Sequence, residues 1–318
     1  MKEAFIKRII SNQYTIIDAD GKERIAHARG KLRYVRVSDK SSFNRRETKR
    51  TKRETRFITI SPKVGDYVTY EERDGQVLIF EIKPRKNELD RPDVANVDAA
   101  LLVFSAVNPD FSFRLLDRFL VILSLNRIEP IIVISKIDLI ETKELTELER
   151  DLSYYRERLG YGIHFVDSKH RIGIEGLDPV FKDRVIVVAG QTGVGKSTLV
   201  NALIPGLDLR TQAISKALGR GKHTTRHTEL YPYKGGYVVD TPGFSKIDLR
   251  IFEAPSLKDA YPDFISYADA CKFKGKCLHV HEPGCAVKKA VEEGLIPRTR
   301  YAHYLSFYQE IEDMKDKY

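Results

Sequence analysis

The chain has no tryptophan, two methionines and only three cysteines in 318 residues. Three cysteines are too few for a disulfide-built scaffold, and all of them fall within 271–285, which points to a local cluster. No stretch approaches the roughly eighteen uninterrupted apolar residues of a membrane-spanning helix, so no membrane role is expected. The opening MKEAFIKRII breaks its apolar run with Lys7 and Arg8, which argues against a secretory leader. A cytoplasmic protein is therefore expected. Hydrophobic residues make up 42% and charged residues 31%, which excludes a wholly disordered chain. The length suits two domains, or three if one is small.

Acidic residues are scarce at one end. Residues 1–70 hold 18 Lys/Arg against 8 Asp/Glu, and the remaining 248 hold 36 against 37. The whole basic excess thus lies at the start. Its densest run, 45–56, contains Arg45, Arg46, Lys49, Arg50, Lys52, Arg53 and Arg56 against Glu47 and Glu54. A polyanion gains counterion-release energy on meeting such a run. An anionic membrane is a weaker partner, because the run has no apolar face to insert.

Residues 1–82 read as short strands. Ile16-Ile17, 34–37, 57–60 and 77–80 are β-prone, with turn signals at Asp20-Gly21, Gly30, Ser61-Pro62, Gly65-Asp66 and Asp74-Gly75. About five strands in that length suggest a small barrel, of OB or SH3-like geometry, and a basic small barrel is a common nucleic-acid scaffold. Residues 83–97, polar and turn-rich, read as a linker. Strands then alternate with helices. Strands are expected at 99–105, 131–134, 164–166, 184–189 and 237–240, and helices at 113–125, 141–159 and from Ser197 to Leu203. That rhythm predicts an α/β domain with a mostly parallel sheet. From 251 the chain turns helical, with Gly294 ending one helix and Pro297 opening another. The apolar face of that last helix is Tyr301, Tyr304, Leu305, Tyr308 and Ile311.

The strongest chemical signal is Gly190-Gln191-Thr192-Gly193-Val194-Gly195-Lys196-Ser197, followed by Thr198. Four residues separate the first glycine from the Gly-Lys-Ser, the spacing of a phosphate-binding loop between a strand and a helix. Glycines let backbone N–H groups converge on oxygen, and the helix start favours anions. Lys196 would meet the β- and γ-phosphates, and the Ser197 hydroxyl would ligate magnesium. Asp240-Thr241-Pro242-Gly243 follows 44 residues after Lys196. Asp240 at a strand end suits a magnesium site, and the Gly243 N–H suits the γ-phosphate. Between them 219–228 is glycine-bounded and basic, a segment able to close over phosphates. Thr225 or Thr224 in it would add a hydroxyl to magnesium.

Here the chain resembles GTPases of the translation-factor class, whose base-reading motif is Asn-Lys-x-Asp after an apolar strand. The match is Ser135-Lys136-Ile137-Asp138 after 131–134. A carboxylate accepts from guanine N1–H and the exocyclic amine together, and adenine offers no such pair. Asp167-Ser168-Lys169, after the 164–166 strand, stands where the last base-contacting element, usually Ser-Ala, is expected. The base-reading run precedes the phosphate loop, the reverse of the usual order. That predicts a circularly permuted G domain, which one sheet permits because termini commonly lie close together at the surface.

Cys271, Cys277, His279 and Cys285 form a candidate closed tetrahedral zinc site of structural type, with His281 a spare imidazole. Taken together, these features resemble the ribosome small-subunit-dependent GTPase A family over nearly the whole chain. The resemblance implies an N-terminal OB-fold over 1–82, a circularly permuted GTPase domain over 83–250 and a helical zinc-binding domain over 251–318. It implies GTP, hydrolysed to GDP, with Mg²⁺ and one Zn²⁺. The implied partner is the small (30S) ribosomal subunit with its 16S rRNA, where the subunit stimulates hydrolysis. A monomer is expected. Lys196 and Thr225 would act in hydrolysis. Phe244 stands where many GTPases place a water-orienting Gln, and the resemblance gives that role to His223, with His227 the alternative on residues alone. Two departures stand out: Ser135 replaces the family's Asn, and five residues rather than four separate Cys271 from Cys277. The competing reading is a GTP-controlled RNA-binding module or chaperone in which hydrolysis is incidental.

Overall fold

A computed structural model describes residues 1–28, 35–36, 57–58, 61–90, 92–207, 228–240, 249 and 253–315. The basic run 45–56 lies outside the described residues. The described chain forms two compact units, one from 1–97 with part of 223–231, the other from 98–222 and 232–318.

In the first unit, strands β1 (Lys2–Ile10), β2 (Gln13–Asp18) and β3 (Glu23–Ala28) form an antiparallel meander. The two-residue strands β4 (Val35–Arg36) and β5 (Phe57–Ile58) pair with each other. Next come β6 (Tyr67–Arg73) and β7 (Gln76–Ile82). β7 pairs in parallel with β3 and antiparallel with β6, and β6 returns to β1. The barrel order is therefore β1-β2-β3-β7-β6 and back to β1. That parallel closure decides for OB over SH3-like geometry. Alternation along β2 and β6 sends Tyr14, Ile16, Val68 and Tyr70 inward, where they meet Ile6, Ala26, Ile79 and Ile82.

The stretch expected as a linker is an ordered element of this unit. Strands β8 (Glu88–Asp90) and β9 (Asp93–Ala95) form a hairpin. Arg85, buried, grips the Asp66 carboxylate with two bonds of 2.7 Å. Asn87 donates to and accepts from the Val97 backbone, and Asn96 donates to Gly65 O. The polar residues that make the stretch resemble a linker are here its fasteners. Gly65 has φ +87, and a Cβ there would lie 2.2 Å from Ala95 O.

The second unit is a parallel sheet of β10 (Ala99–Ser105), β11 (Glu129–Ser135), β12 (Gly162–Val166), β13 (Val185–Ala189) and β15 (Gly236–Asp240), ordered β12-β11-β10-β13-β15. Between the last two in sequence is β14 (Glu229–Tyr233), whose first residues belong to the first unit, where Glu229 pairs with Arg8. Strands β10 and β13 are buried along their whole length, as a sheet covered on both faces requires. Helix α1 (Phe113–Leu125) starts at Ser112, whose hydroxyl accepts from Leu115 N, and its Phe119 meets Phe104 of β10 edge-on. The single helix expected over 141–159 is two, α2 (Thr142–Asp151) and α3 (Ser153–Glu157). The turn at buried Leu152 swings Tyr155 inward, where its hydroxyl donates to Asp117 of α1. Helix α4 (Lys196–Leu203) buries Leu199, Val200 and Leu203 in a core shared with Val103, Val133 and Val188.

The C-terminal helices α5 (Pro262–Ala268), α6 (Ala286–Glu292) and α7 (Arg298–Lys315) join this second unit. Their core takes in Val121 and Ile122 of α1 along with Phe264, Val287, Tyr304, Phe307 and Ile311. Arg300 is 2% exposed, clamps Asp263 through two bonds of 2.7 and 3.0 Å, and also reaches Asp117. Its guanidinium lies 4.7 Å over the Tyr261 ring. No described helix is long and apolar enough to cross a membrane.

Candidate functional site

The carboxyl ends of the parallel strands share one edge, the usual place for a ligand in an open α/β sheet. The runs expected to read base and phosphate both emerge there. A cavity of about 210 Å³ is lined by Ser135, Lys136, Asp138, Leu139, Asp167, Ser168 and Lys169 from the first run and Gly195 and Thr198 from the second.

Ser135 is the last residue of β11 and is buried. Its Oγ lies 2.5 Å from Val194 O in the phosphate loop and 3.0 Å from Phe104 O at the end of β10. One hydroxyl thus ties two strand ends to the glycine loop. The serine that replaces Asn keeps a bond that steadies the loops. Lys136 takes a left-handed backbone, φ 59, and its amine donates to Asn108 O. Burial, with Lys169 nearby, pulls that amine below the usual lysine value. Asp138 sits in the short 3-10 turn Ile137–Leu139, and Lys169 Nζ lies 3.5 Å from its carboxylate.

Asp167 holds the other wall. It accepts from Lys169 N at 2.9 Å and His170 N at 3.2 Å, and contacts the His170 ring. Burial raises its carboxyl, but those bonds outweigh burial and leave it below the usual value. The Ser168 hydroxyl is buried with no hydrogen-bond partner. An orphaned polar atom in a cleft is what an incoming ligand would satisfy.

The phosphate loop bends at Gly190, Gly193 and Gly195, with φ of 141, 87 and 92. A Cβ on Gly190 would fall 2.1 Å from Val103 O, so this position needs glycine for room as well as conformation. The Lys196 amine folds back on Gly190 O at 2.8 Å and Gln191 O at 2.5 Å. Burial pushes it down to about 8. Thr192 and Gly193 stay exposed at the loop's crest. Ser197 begins α4 beside Lys196. β15 runs parallel to β13 with Val239 opposite Val187, so its last residue, Asp240, ends alongside the start of the loop. His223, Thr225, His227, Gly243 and Phe244 lie outside the described residues.

Away from this cleft, the three cysteines and His279 are buried, with ligand atoms all within 4.8 Å of one another. His279 Nδ1 lies 3.3 Å from Cys285 Sγ and 3.6 Å from Cys271 Sγ, and those two sulfurs are 3.9 Å apart. Tetrahedral zinc, with bonds of about 2.3 Å to sulfur and about 2.0 Å to nitrogen, sets edges of about 3.8 and about 3.5 Å. The cluster is compatible with zinc in donor type and spacing. Burial pushes the Cys277 thiol up to about 12 and raises that of Cys285, so ionising those two calls for a cation beside them. His281 is not in the cluster.

With both sites laid out, the comparisons decide the family. The family model described as RsgA GTPase matches residues 82–250. The chain belongs to the RsgA GTPase family. It is a GTPase by that membership, and its fold is that of circularly permuted GTPases. A protein of Onion yellows phytoplasma (strain OY-M), named small ribosomal subunit biogenesis GTPase RsgA, is 46% identical over 314 residues, 98% of this chain and 99% of that one. The Bacillus subtilis (strain 168) protein of the same name is 49% identical over 260 residues, 81% of this chain and 87% of that one. The crystal structure of YloQ, a circularly permuted GTPase, superposes with a TM-score of 0.77 at 37% identity, covering 99% and 96% of the two chains. YjeQ from Thermotoga maritima gives 0.78 at 32%, covering 98% of each.

In this RsgA-family chain, sequence reasoning found the lining of the cleft but missed its fasteners. Asn108, which holds Lys136, carries no motif. The run 167–169 points to the base, yet Asp167 serves as an anchor for backbone N–H groups, a common use of a carboxylate just past a strand end.

Proposed function

We propose that this GTPase acts in biogenesis of the small ribosomal subunit, in the cytoplasm and as a monomer, and that the subunit stimulates its hydrolysis of GTP. The relatives' shared name supports the subunit as partner, and the family supports the chemistry. The observation that carries the site is the Ser135 tie to Val194, which puts the base-reading run and the phosphate loop on one cavity in reversed chain order.

In this reading Asp138 accepts from the guanine edge and Lys136 lies along the base. Ser168 and Lys169 close the far side. The N–H groups of 190–197 and Lys196 hold the phosphates, and Lys196 gives up its two carbonyls for them. Water attacks the γ-phosphorus, the bond to the bridging oxygen breaks, and GDP, inorganic phosphate and a proton leave. Lys196 and the loop N–H groups stabilise charge on the transferring group. His223, or His227, orients the water. Ser197, Asp240 and Thr225 would hold Mg²⁺, whose contribution is to neutralise phosphate charge. The Cys271, Cys277, His279 and Cys285 set would hold a structural Zn²⁺. The chain works as three parts: an OB barrel over 1–82 that meets 16S rRNA with its basic run 45–56, the GTPase over 83–250 and the zinc-binding helices over 251–318.

Hydrolysis of GTP and of ATP, each with and without purified small subunits, tests this. GTP turnover that rises with subunits, and no ATP turnover, is expected. GTP turnover indifferent to subunits would favour an RNA-binding module in which hydrolysis is incidental.

A further inference from the structure

The metal loop has a feature that its four ligands do not explain. Every peptide group from the Cys277 carbonyl to the Val280 N–H is held by a side chain. Lys258 Nζ lies 3.3 Å from Cys277 O and also reaches Gly275 O. The Glu282 carboxylate accepts from Leu278 N at 2.6 Å and Val280 N at 3.0 Å. Tyr304 donates to Leu278 O, and Tyr301 donates to His279 O at 2.7 Å. Both tyrosines stand one turn apart on α7.

The reason for such dense fastening lies in the backbone. His279 has φ 61, the left-handed region that a residue with a Cβ rarely adopts. That conformation turns its imidazole toward Cys271 and Cys285. It is strained, so it persists only where the surroundings fix it. We propose that Tyr301 and Tyr304 of α7, with Lys258, are positioning residues that preset His279 for the metal and so set metal affinity. This rests on the zinc reading above. Outer partners that orient a ligand typically change metal affinity by about tenfold to a hundredfold when removed. Linkage makes the effect reciprocal: a loop fixed by its metal grips α7 more tightly. The same helix carries Arg300 and His303, which contact Asp117 of α1.

The test is competition for Zn²⁺ between the full chain and a chromogenic chelator of known affinity. The double variant Tyr301→Phe/Tyr304→Phe keeps both rings and loses both hydroxyls. Its zinc affinity should fall by about tenfold or more. Arg118→Gln is the control. It removes the Arg118–Glu310 pair between α1 and α7, remote from the loop, and should leave zinc affinity within about twofold. Lys258→Met is a second arm that does not depend on how well the tyrosine variant folds, and it should weaken zinc severalfold. Unchanged affinity in the double variant or in Lys258→Met, or an equal loss in Arg118→Gln, overturns the proposal. In the latter case the bonds merely hold the fold. Wild-type chain that takes up no zinc would remove the zinc reading and the proposal together, whereas zinc-loaded wild type with indifferent variants removes the proposal alone.

Discussion

The nucleotide cleft and the metal loop are organised by different means. The cleft is set by the sheet: strand ends place Val166, Ser135 and Ser105 side by side, Ala189 ends β13 beside Leu102 of β10, and glycines supply the bends. Few side chains are needed to hold it, and Ser135 is the main fastener between its halves. The metal loop belongs to no sheet and buries little apolar surface of its own. Its shape comes from the close cluster of Cys271, Cys277, His279 and Cys285 and from side-chain bonds to bare peptide groups. The cleft should therefore keep its form without its ligand, and the metal loop should not.

Metal removal should break this contrast open most widely. Structural zinc in small domains contributes apparent free energies of about 10–16 kcal/mol. Chelation is expected to strip hydrogen-exchange protection from 271–296 while leaving β10, β11 and β13 protected. Equal loss in both regions would show that the cleft depends on the metal as well.

Arg300→Met comes next. It leaves Asp117 and Asp263 buried beneath the C-terminal helices without their cation, a change that costs about 3–5 kcal/mol. Thermal unfolding should shift down accordingly, with GDP affinity near wild type if the cleft stands on the sheet alone.

Ser135→Ala removes the single donor shared by Val194 and Phe104. A lost buried bond costs about 1–3 kcal/mol. Affinity for GDP and GTP should both fall by about tenfold, by the same factor, because the tie acts on the frame and not on the γ-phosphate. Titration with a fluorescent GDP analogue checks this, and unequal losses would point to direct contact with one nucleotide.

The smallest expected effect is on pH. In the free protein the Lys196 amine titrates at about 8, lowered by burial. Phosphates beside it restore the charged form, so binding takes up protons above that value. Nucleotide affinity should drop about threefold from pH 7.5 to 8.5. Calorimetry in buffers of different ionisation enthalpy reads the proton uptake directly, and none at pH 8.5 would contradict the assignment.

What the sequence disclosed follows from the same contrast. Glycine spacing in 190–197 and the apolar runs of β10, β11 and β13 are local signals, so the sheet and its loop were legible, including the reversed order. The Cys/His spacing disclosed the buried cluster of Cys271, Cys277, His279 and Cys285. Long-range side-chain bonds were not legible. Arg85 and Asp66 turn an apparent linker into a packed hairpin. Tyr301 and Tyr304 read as one packing face, and their rings do pack, but their hydroxyls go to peptide carbonyls 22 and 26 residues away. The helix break at Leu152 hides because nothing in the 141–159 run stops a helix locally. Beyond it Tyr155 donates to Asp117 of α1, a contact set by a residue 38 positions away.

The central claim is that two segments in reversed order read one guanine nucleotide. Asp138→Asn tests it most directly, in competition binding of GDP against xanthosine diphosphate. An amide there loses the paired acceptor for the guanine N1–H and amine and offers a donor to the xanthine carbonyl instead. The expected result is a loss of GDP affinity of about a hundredfold with a gain for xanthosine diphosphate. Unaltered GDP affinity would mean that Asp138 does not face the base of the nucleotide whose phosphates Lys196 holds, and the permuted cleft would have to be given up.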